Sequence, residues 1–225
     1  MNGALDVSST DPNKPAWMFK RATGFFDVVA YSGNSTSGRN VAHNLGVAPE
    51  MMIVKRRTGI SDWAVYSESE GATEFTRLNA TTASGATSVW NSTAPTSSVF
   101  TLGTGNTVNN TGEDYIAYLF ATLAGVSKVG SYTGTGADLN VDCGFSAGAR
   151  FILIKRTDST GDWYVWDSVR GIVAGNDPYL LLNSTAAEAT TTDYIDPLSS
   201  GFTVTSTAPA ALNASGGTYI YLAIA

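Results

Sequence analysis

The chain repeats itself, and that repeat limits the fold more than any other feature. Residues 51–68 read MMIVKRRTGISDWAVYSE and residues 151–168 read FILIKRTDSTGDWYVWDS. Each stretch has four apolar residues, Lys-Arg, a polar turn, Asp-Trp and a second apolar run. Lys55 stands as far from Asp62 and Trp63 as Lys155 does from Asp162 and Trp163. The match continues outside these stretches. Tyr31-Ser-Gly is answered by Tyr132-Thr-Gly, Leu78-Asn79 by Leu182-Asn183, and Phe100-Thr-Leu by Phe202-Thr-Val. The apolar run from Tyr115 is answered by the run from Tyr219, which ends the chain. Self-similarity at a fixed spacing over most of a chain points to two like units in tandem. We place them at residues 24–123 and 124–225.

Local signals make these units β-rich. Gly, Asn, Ser and Thr cluster at short intervals, with β-branched and aromatic runs between them. MMIV and FILI are apolar at successive positions, so both faces of those strands are expected to be covered. Each run reaches Lys-Arg, turns and returns, which describes a hairpin. Tyr115–Leu123 reads as a strand, and Ala186–Asp193 fits either a short helix or a loop. The expected class is all-β: two β-sandwich units, jelly-roll or lectin-like, each of about seven to nine strands.

Residues 1–23 read as an N-terminal arm. Ala16-Trp17-Met18-Phe19 aligns with Ala117-Tyr118-Leu119-Phe120, as if the chain opened on the last strand of a preceding unit. A strand at about 16–20 then has to pair with unit one or with a neighbouring chain. Residues 1–15, with Asp11-Pro12 and Lys14-Pro15, are expected to be extended.

Only 14% of residues are charged, with a net charge of −6. Ser, Thr, Asn and Gly keep the surface wet instead. No basic field exists to hold a phosphate backbone, so nucleic acid is not an expected partner. No apolar run is long enough to cross a membrane as a helix, and no signal peptide is legible. The one cysteine, Cys143, excludes an internal disulfide and reads as a small buried hydrophobe. Asn-x-Ser/Thr triplets at Asn34, Asn79, Asn91, Asn109, Asn183 and Asn213 are expected from chance in so Ser/Thr-rich a chain.

Catalytic constellations are weak. His43 is the single histidine, and its counterpart in the second unit falls near Asp142, so it reads as structural. Gly144-Phe-Ser146-Ala-Gly148 has the spacing of a nucleophile elbow, but no histidine follows it in the chain. Carboxylate pairs at Glu68 and Glu70, Asp162 and Asp167, or Glu113 and Asp114 each have a structural reading. No catalytic, cofactor or metal site is therefore expected. Lys55, Asp62, Trp63, Lys155, Asp162 and Trp163 form a repeated structural signature, its tryptophans packed in the core. The turns at 57–61 and 157–161 vary and are free to meet a neighbour. Trp17 and Trp90 are the aromatics expected to be partly exposed, and hence to contact a glycan or a partner.

Three strings carry a family resemblance: Trp17-Met-Phe-Lys-Arg-Ala-Thr-Gly-Phe-Phe-Asp-Val-Val-Ala-Tyr-Ser-Gly-Asn34, His43-Asn-Leu-Gly-Val-Ala-Pro-Glu-Met-Met-Ile-Val-Lys55, and Gly144–Arg156. Over about residues 16–225 the chain resembles domains of unknown function in virion proteins of marine bacteriophages, predicted tail or structural components. The resemblance implies a non-enzymatic virion protein, made in the host cytoplasm and most simply placed in the tail, as a fibre or tail-associated component. It implies assembly with copies of itself, a trimer in a fibre, and with other virion proteins. The alternatives are a host-glycan-binding module and a capsid decoration or head fibre.

Overall fold

The computed structural model describes residues 16–225. The expected arm at residues 1–15 lies outside them. The first half supplies β1 (Phe26–Ser32), β2 (Arg39–Ala42), β3 (Met51–Arg56), β4 (Trp63–Ser67), β5 (Glu74–Arg77), β6 (Gly85–Ala86), β7 (Val99–Leu102), the single-turn helix α1 (Asn106–Asn109) and β8 (Asp114–Phe120). The second supplies β9 (Ser127–Thr133), β10 (Leu139–Asp142), β11 (Phe151–Arg156), β12 (Trp163–Asp167), β13 (Leu180–Leu181), β14 (Ile195–Leu198), β15 (Gly201–Val204), α2 (Ala210–Asn213) and β16 (Thr218–Ile224). The protein is all-β, built from antiparallel sheets. Residues 186–193 form no helix.

One large sheet runs β1-β8-β3-β4-β5-β6 and the other runs β9-β16-β11-β12-β13. Two small sheets, β2-β7 and β10-β15-β14, complete the set. Register recurs between the halves. Tyr31 lies opposite Tyr115, and Tyr132 opposite Tyr219. Lys55 lies opposite Trp63, and Lys155 opposite Trp163.

Side-chain alternation makes these sheets into four layers. Met52, Val54, Ala64, Tyr66, Tyr115, Ala117 and Leu119 face the first small sheet, where they meet Val41, Phe100 and Leu102. Ile152, Ile154, Trp166, Tyr219 and Tyr221 likewise meet Val141, Phe202 and Val204. The intervening residues face the other way. Met51, Ile53, Val65 and Phe120 of the first large sheet pack against Leu153, Trp163, Val165, Ile220 and Leu222 of the second. Every residue of MMIV and three of the four in FILI are buried, because their strands lie inside a four-layer stack. Such fully apolar runs cannot stand at a solvated face, so the two large sheets have to meet.

The Tyr-x-Gly repeat has a steric cause. The Tyr31 and Tyr115 rings stack with centroids 5.2 Å apart, and those of Tyr132 and Tyr219 at 4.7 Å. The hydroxyls of Tyr31 and Tyr132 donate to the carbonyls of Val108 and Leu212, each at 2.7 Å. The chain then passes so close to the end of α1 or α2 that a Cβ on Gly33 or Gly134 would collide with the carbonyl of Asn110 or Ala214. Only glycine allows this approach.

Candidate functional site: an apolar cleft between the large sheets

The repeated signature residues form a clamp. The Lys55 ammonium donates to the Ser61 carbonyl at 2.7 Å, and that of Lys155 to the Gly161 carbonyl at 2.5 Å. Asp62 accepts from the Asn79 amide at 3.0 Å, and Asp162 from that of Asn183 at 2.7 Å. The same asparagines accept from the backbone N–H of Trp63 and Trp163, at 2.9 and 2.7 Å. Lysine thus closes the turn, and aspartate and asparagine fix the strand beyond it. The two functions account for the lysine, the Asp-Trp and the distant Leu-Asn recurring together.

The two clamps meet different surroundings. Trp163 is 0% exposed, and its indole N–H donates to the Arg77 carbonyl of the first half at 2.8 Å. Lys155 also donates to the Thr81 carbonyl at 3.0 Å, and Gly161 N–H to the same carbonyl at 2.9 Å. Ser84 N–H donates to the Thr157 carbonyl. The turn at 157–161 therefore meets a neighbour within its own chain. The turn at 57–61 instead presents Ile60 bare to solvent. Trp63 is half-buried, its ring 5.5 Å from the Lys55 ammonium.

Because one clamp is pinned and the other is not, the large sheets close at Trp163 and stand apart at Trp63. The gap is a cleft of about 680 Å³ with an almost wholly apolar lining. Val28, Trp63, Leu78 and Tyr118 contribute from the first half, and Leu153, Leu182 and Leu222 from the second. Leu182 is 37% exposed, and Met18, at the lip, is 81% exposed.

Residues 16–20 form that lip and belong to no ladder, so the strand expected there does not form among the described residues. Side-chain anchoring replaces pairing. Trp17 donates its indole N–H to Asp167 at 3.0 Å, meets Phe151 edge-on at 5.9 Å and lies under the Arg170 guanidinium at 5.5 Å. Phe19 packs against Phe26, Phe120 and Phe151.

Trp90 corrects a second expectation. Its polar neighbours predict partial exposure, yet it is 0% exposed. It fills the first small-sheet core, edge-on to Tyr66 at 5.9 Å. The reason lies in how bulk is divided. Gly103 N–H donates to the Val89 carbonyl as Thr205 N–H does to that of Tyr194, which sets Trp90 in the place of Ile195. The counterpart of Tyr66 is Trp166. One half pairs Tyr with Trp and the other pairs Trp with Ile, so the large ring changes position while the core stays filled.

Other side chains raised by the sequence have local partners. The His43 ring lies 3.1 Å from the Thr96 carbonyl and accepts from Leu45 N–H, and burial lowers its pKa. Ser146 is exposed on a loop, not on a strand-to-helix elbow. Glu113 pairs with Arg56 and Asp114 accepts from Ser32. Asp162 and Asp167 are bonded as described above, and Glu68 is exposed. Glu70 and Glu74 border a separate polar cleft of about 620 Å³ with Ser84, Ser131 and Asp158. Burial raises the Glu70 pKa, and the charge of Glu74 raises it further. Among the described residues no group of three or more His, Cys, Asp or Glu is placed to hold a metal, and no helix is long and apolar enough to cross a membrane.

Sequence reasoning undervalued the asparagines. Asn79 and Asn183 complete the clamps. Asn109 and Asn213 are buried, and each donates to two carbonyls, Thr36 and Gly103 or Ala137 and Thr205. Four of the Asn-x-Ser/Thr triplets are therefore structural. The signal was present, because Asn79 and Asn183 are offset by the same interval as Asn109 and Asn213.

No curated protein and no solved structure matches the chain. Residues 2–225 match a family model described as Domain of unknown function (DUF7483), and the chain belongs to that family.

Proposed function

We propose that the protein is a non-enzymatic structural component of a bacteriophage virion, a tail fibre or tail-associated protein, that assembles with copies of itself. In this reading its two halves are two copies of one β-sandwich unit, stacked through their large sheets. The observation that carries the proposal is the apolar cleft. A chain with 14% charged residues leaves Leu182, Trp63 and Met18 at an open gap between its sheets. Apolar surface of that kind on a polar, Ser/Thr-rich exterior marks a site of association. The resemblance of residues 16–225 to phage virion proteins supplies the particle. A capsid location belongs to the same structural class and is the alternative outcome. Glycan binding has less support, since Trp90 is fully buried and the Trp17 ring is held by Phe151 and Arg170.

Light scattering on the purified chain tests the assembly. The expected mass at micromolar concentration is a multiple of 23.5 kDa, a trimer in a fibre. Leu182→Asp places a charge in the cleft without touching the clamp side chains, and it should return the mass to that of one chain with the fold intact. A wild-type monomer, or an oligomer indifferent to Leu182→Asp, would refute assembly through this cleft.

A further inference from the structure

The second half carries a buried acid that neither its clamp nor the apolar cleft uses. Between β12 and β14 the chain makes a long excursion, residues 169–194, broken only by the short strand β13. Asp177 holds the two arms of this excursion together. Its backbone N–H donates to the Thr192 carbonyl at 2.7 Å, and its Oδ1 accepts from Tyr194 N–H at 2.8 Å. Tyr179 and Ala189 exchange backbone hydrogen bonds just beyond. The Asp177 side chain is 0% exposed.

Its other oxygen, Oδ2, is buried without a hydrogen-bond partner among the described residues, as is the indole nitrogen of Trp166. Thr192 Oγ1 and Asp193 Oδ1 are in the same condition. A carboxylate so placed has no cation beside it. The cation of this region, Arg170, is taken by Asp167 at 2.8 Å and Glu188 at 3.3 Å. The other titratable groups on the elements packed here are Tyr164 on β12, Tyr179 in the excursion, and Asp193, Tyr194 and Asp196 on the β14 side. None of them brings a positive charge. A buried, unpaired carboxylate is costly when ionised and tolerable when protonated.

We propose that Asp177 makes closure of the 169–194 excursion pH-dependent, holding it shut in acid and loosening it toward neutrality. Burial pushes the carboxyl up to about 7 in the closed form, against the hydrogen bond from Tyr194 N–H that lowers it. Once the excursion opens, the carboxyl returns to its ordinary value near 3.8. Between those values the closed form keeps its proton and the open form loses it. Opening therefore releases one proton, and the opening constant rises about tenfold per pH unit up to about pH 7, then levels off. The excursion also carries Arg170, which lies over Trp17, so the device sits against the lip of the cleft.

Native-state hydrogen exchange of the full chain, corrected for intrinsic rates, tests this. The amides of Asp177, Tyr179 and Ala189 should show an opening constant that climbs about tenfold per unit between about pH 4 and 7. Asp177→Asn, which keeps the shape and cannot ionise, should flatten the profile. A flat profile in the wild-type chain overturns the proposal, whether or not the variant folds. So does an Asp177→Asn variant that keeps the wild-type slope.

Discussion

Replacing Trp163 with Ala probes the joint between the two halves. The side chain is 0% exposed and lies among Leu153, Val165 and residues of the opposite sheet. Removing a buried aromatic ring costs about 3–5 kcal/mol when the surroundings cannot collapse. The Arg77 carbonyl also loses its indole donor, which adds about 1–3 kcal/mol if it stays buried. The expected total is therefore about 4–8 kcal/mol, a large share of the stability of an ordinary domain. Trp63 is the internal control. It occupies the same hairpin position but is half-buried, and its backbone bond to Asn79 survives the substitution. Trp63→Ala forfeits partial burial and a cation–π contact, about 1–2 kcal/mol in all. Urea unfolding followed by far-UV circular dichroism reads both variants. Costs within about 1 kcal/mol of each other would refute the claim that the sheets close at Trp163 and gape at Trp63.

Further outcomes follow from the same structure. Trp90→Ala, in the filled first core, should cost about 3–5 kcal/mol by the same unfolding assay, despite its polar sequence neighbours. Gly134→Ala should lower the melting temperature by several degrees, because its methyl meets the Ala214 carbonyl, whereas Gly112→Ala, with open space around it, should cost only the strain of its positive φ. Burial depresses Lys155 to about 8 from its ordinary 10.5, against the pull of Asp162 and Glu70. At this site the unfolded chain then binds more protons above pH 8, so the stability difference between the wild type and Lys155→Met should move by about 2 kcal/mol in favour of the wild type between pH 7.5 and 9.5. Cys143 is buried and its thiol is pushed up to about 11, so a disulfide reagent at pH 8 should leave it unmodified until the chain unfolds.

The sequence made legible what depends on backbone and on strict alternation. MMIV and FILI announced strands covered on both faces, since two apolar periods are superposed in them. The clamp was legible as Lys55, Asp62 and Trp63 matched by Lys155, Asp162 and Trp163, because hydrogen bonds to fixed backbone atoms tolerate little change of type or spacing. The all-β class followed from the turn residues. Burial that depends on tertiary placement was not legible. Trp90 lies between Val89 and Asn91, and only the exchange of bulk with Tyr66 puts it inside. Residues 16–20 have the composition of a strand, but aromatic contacts to Phe151 and Phe120 hold them without a ladder. The cleft itself arises from an asymmetry between equivalent hairpins. A comparison of the two copies hides that asymmetry, because it exists only in how they are docked.

The most direct test of the functional account is the location of this chain in an intact particle. Immunogold labelling or a density map of purified virions should place it at the tail, in several copies related by symmetry. Virions free of the chain, with all of it recovered in the soluble lysate of infected cells, would contradict the account.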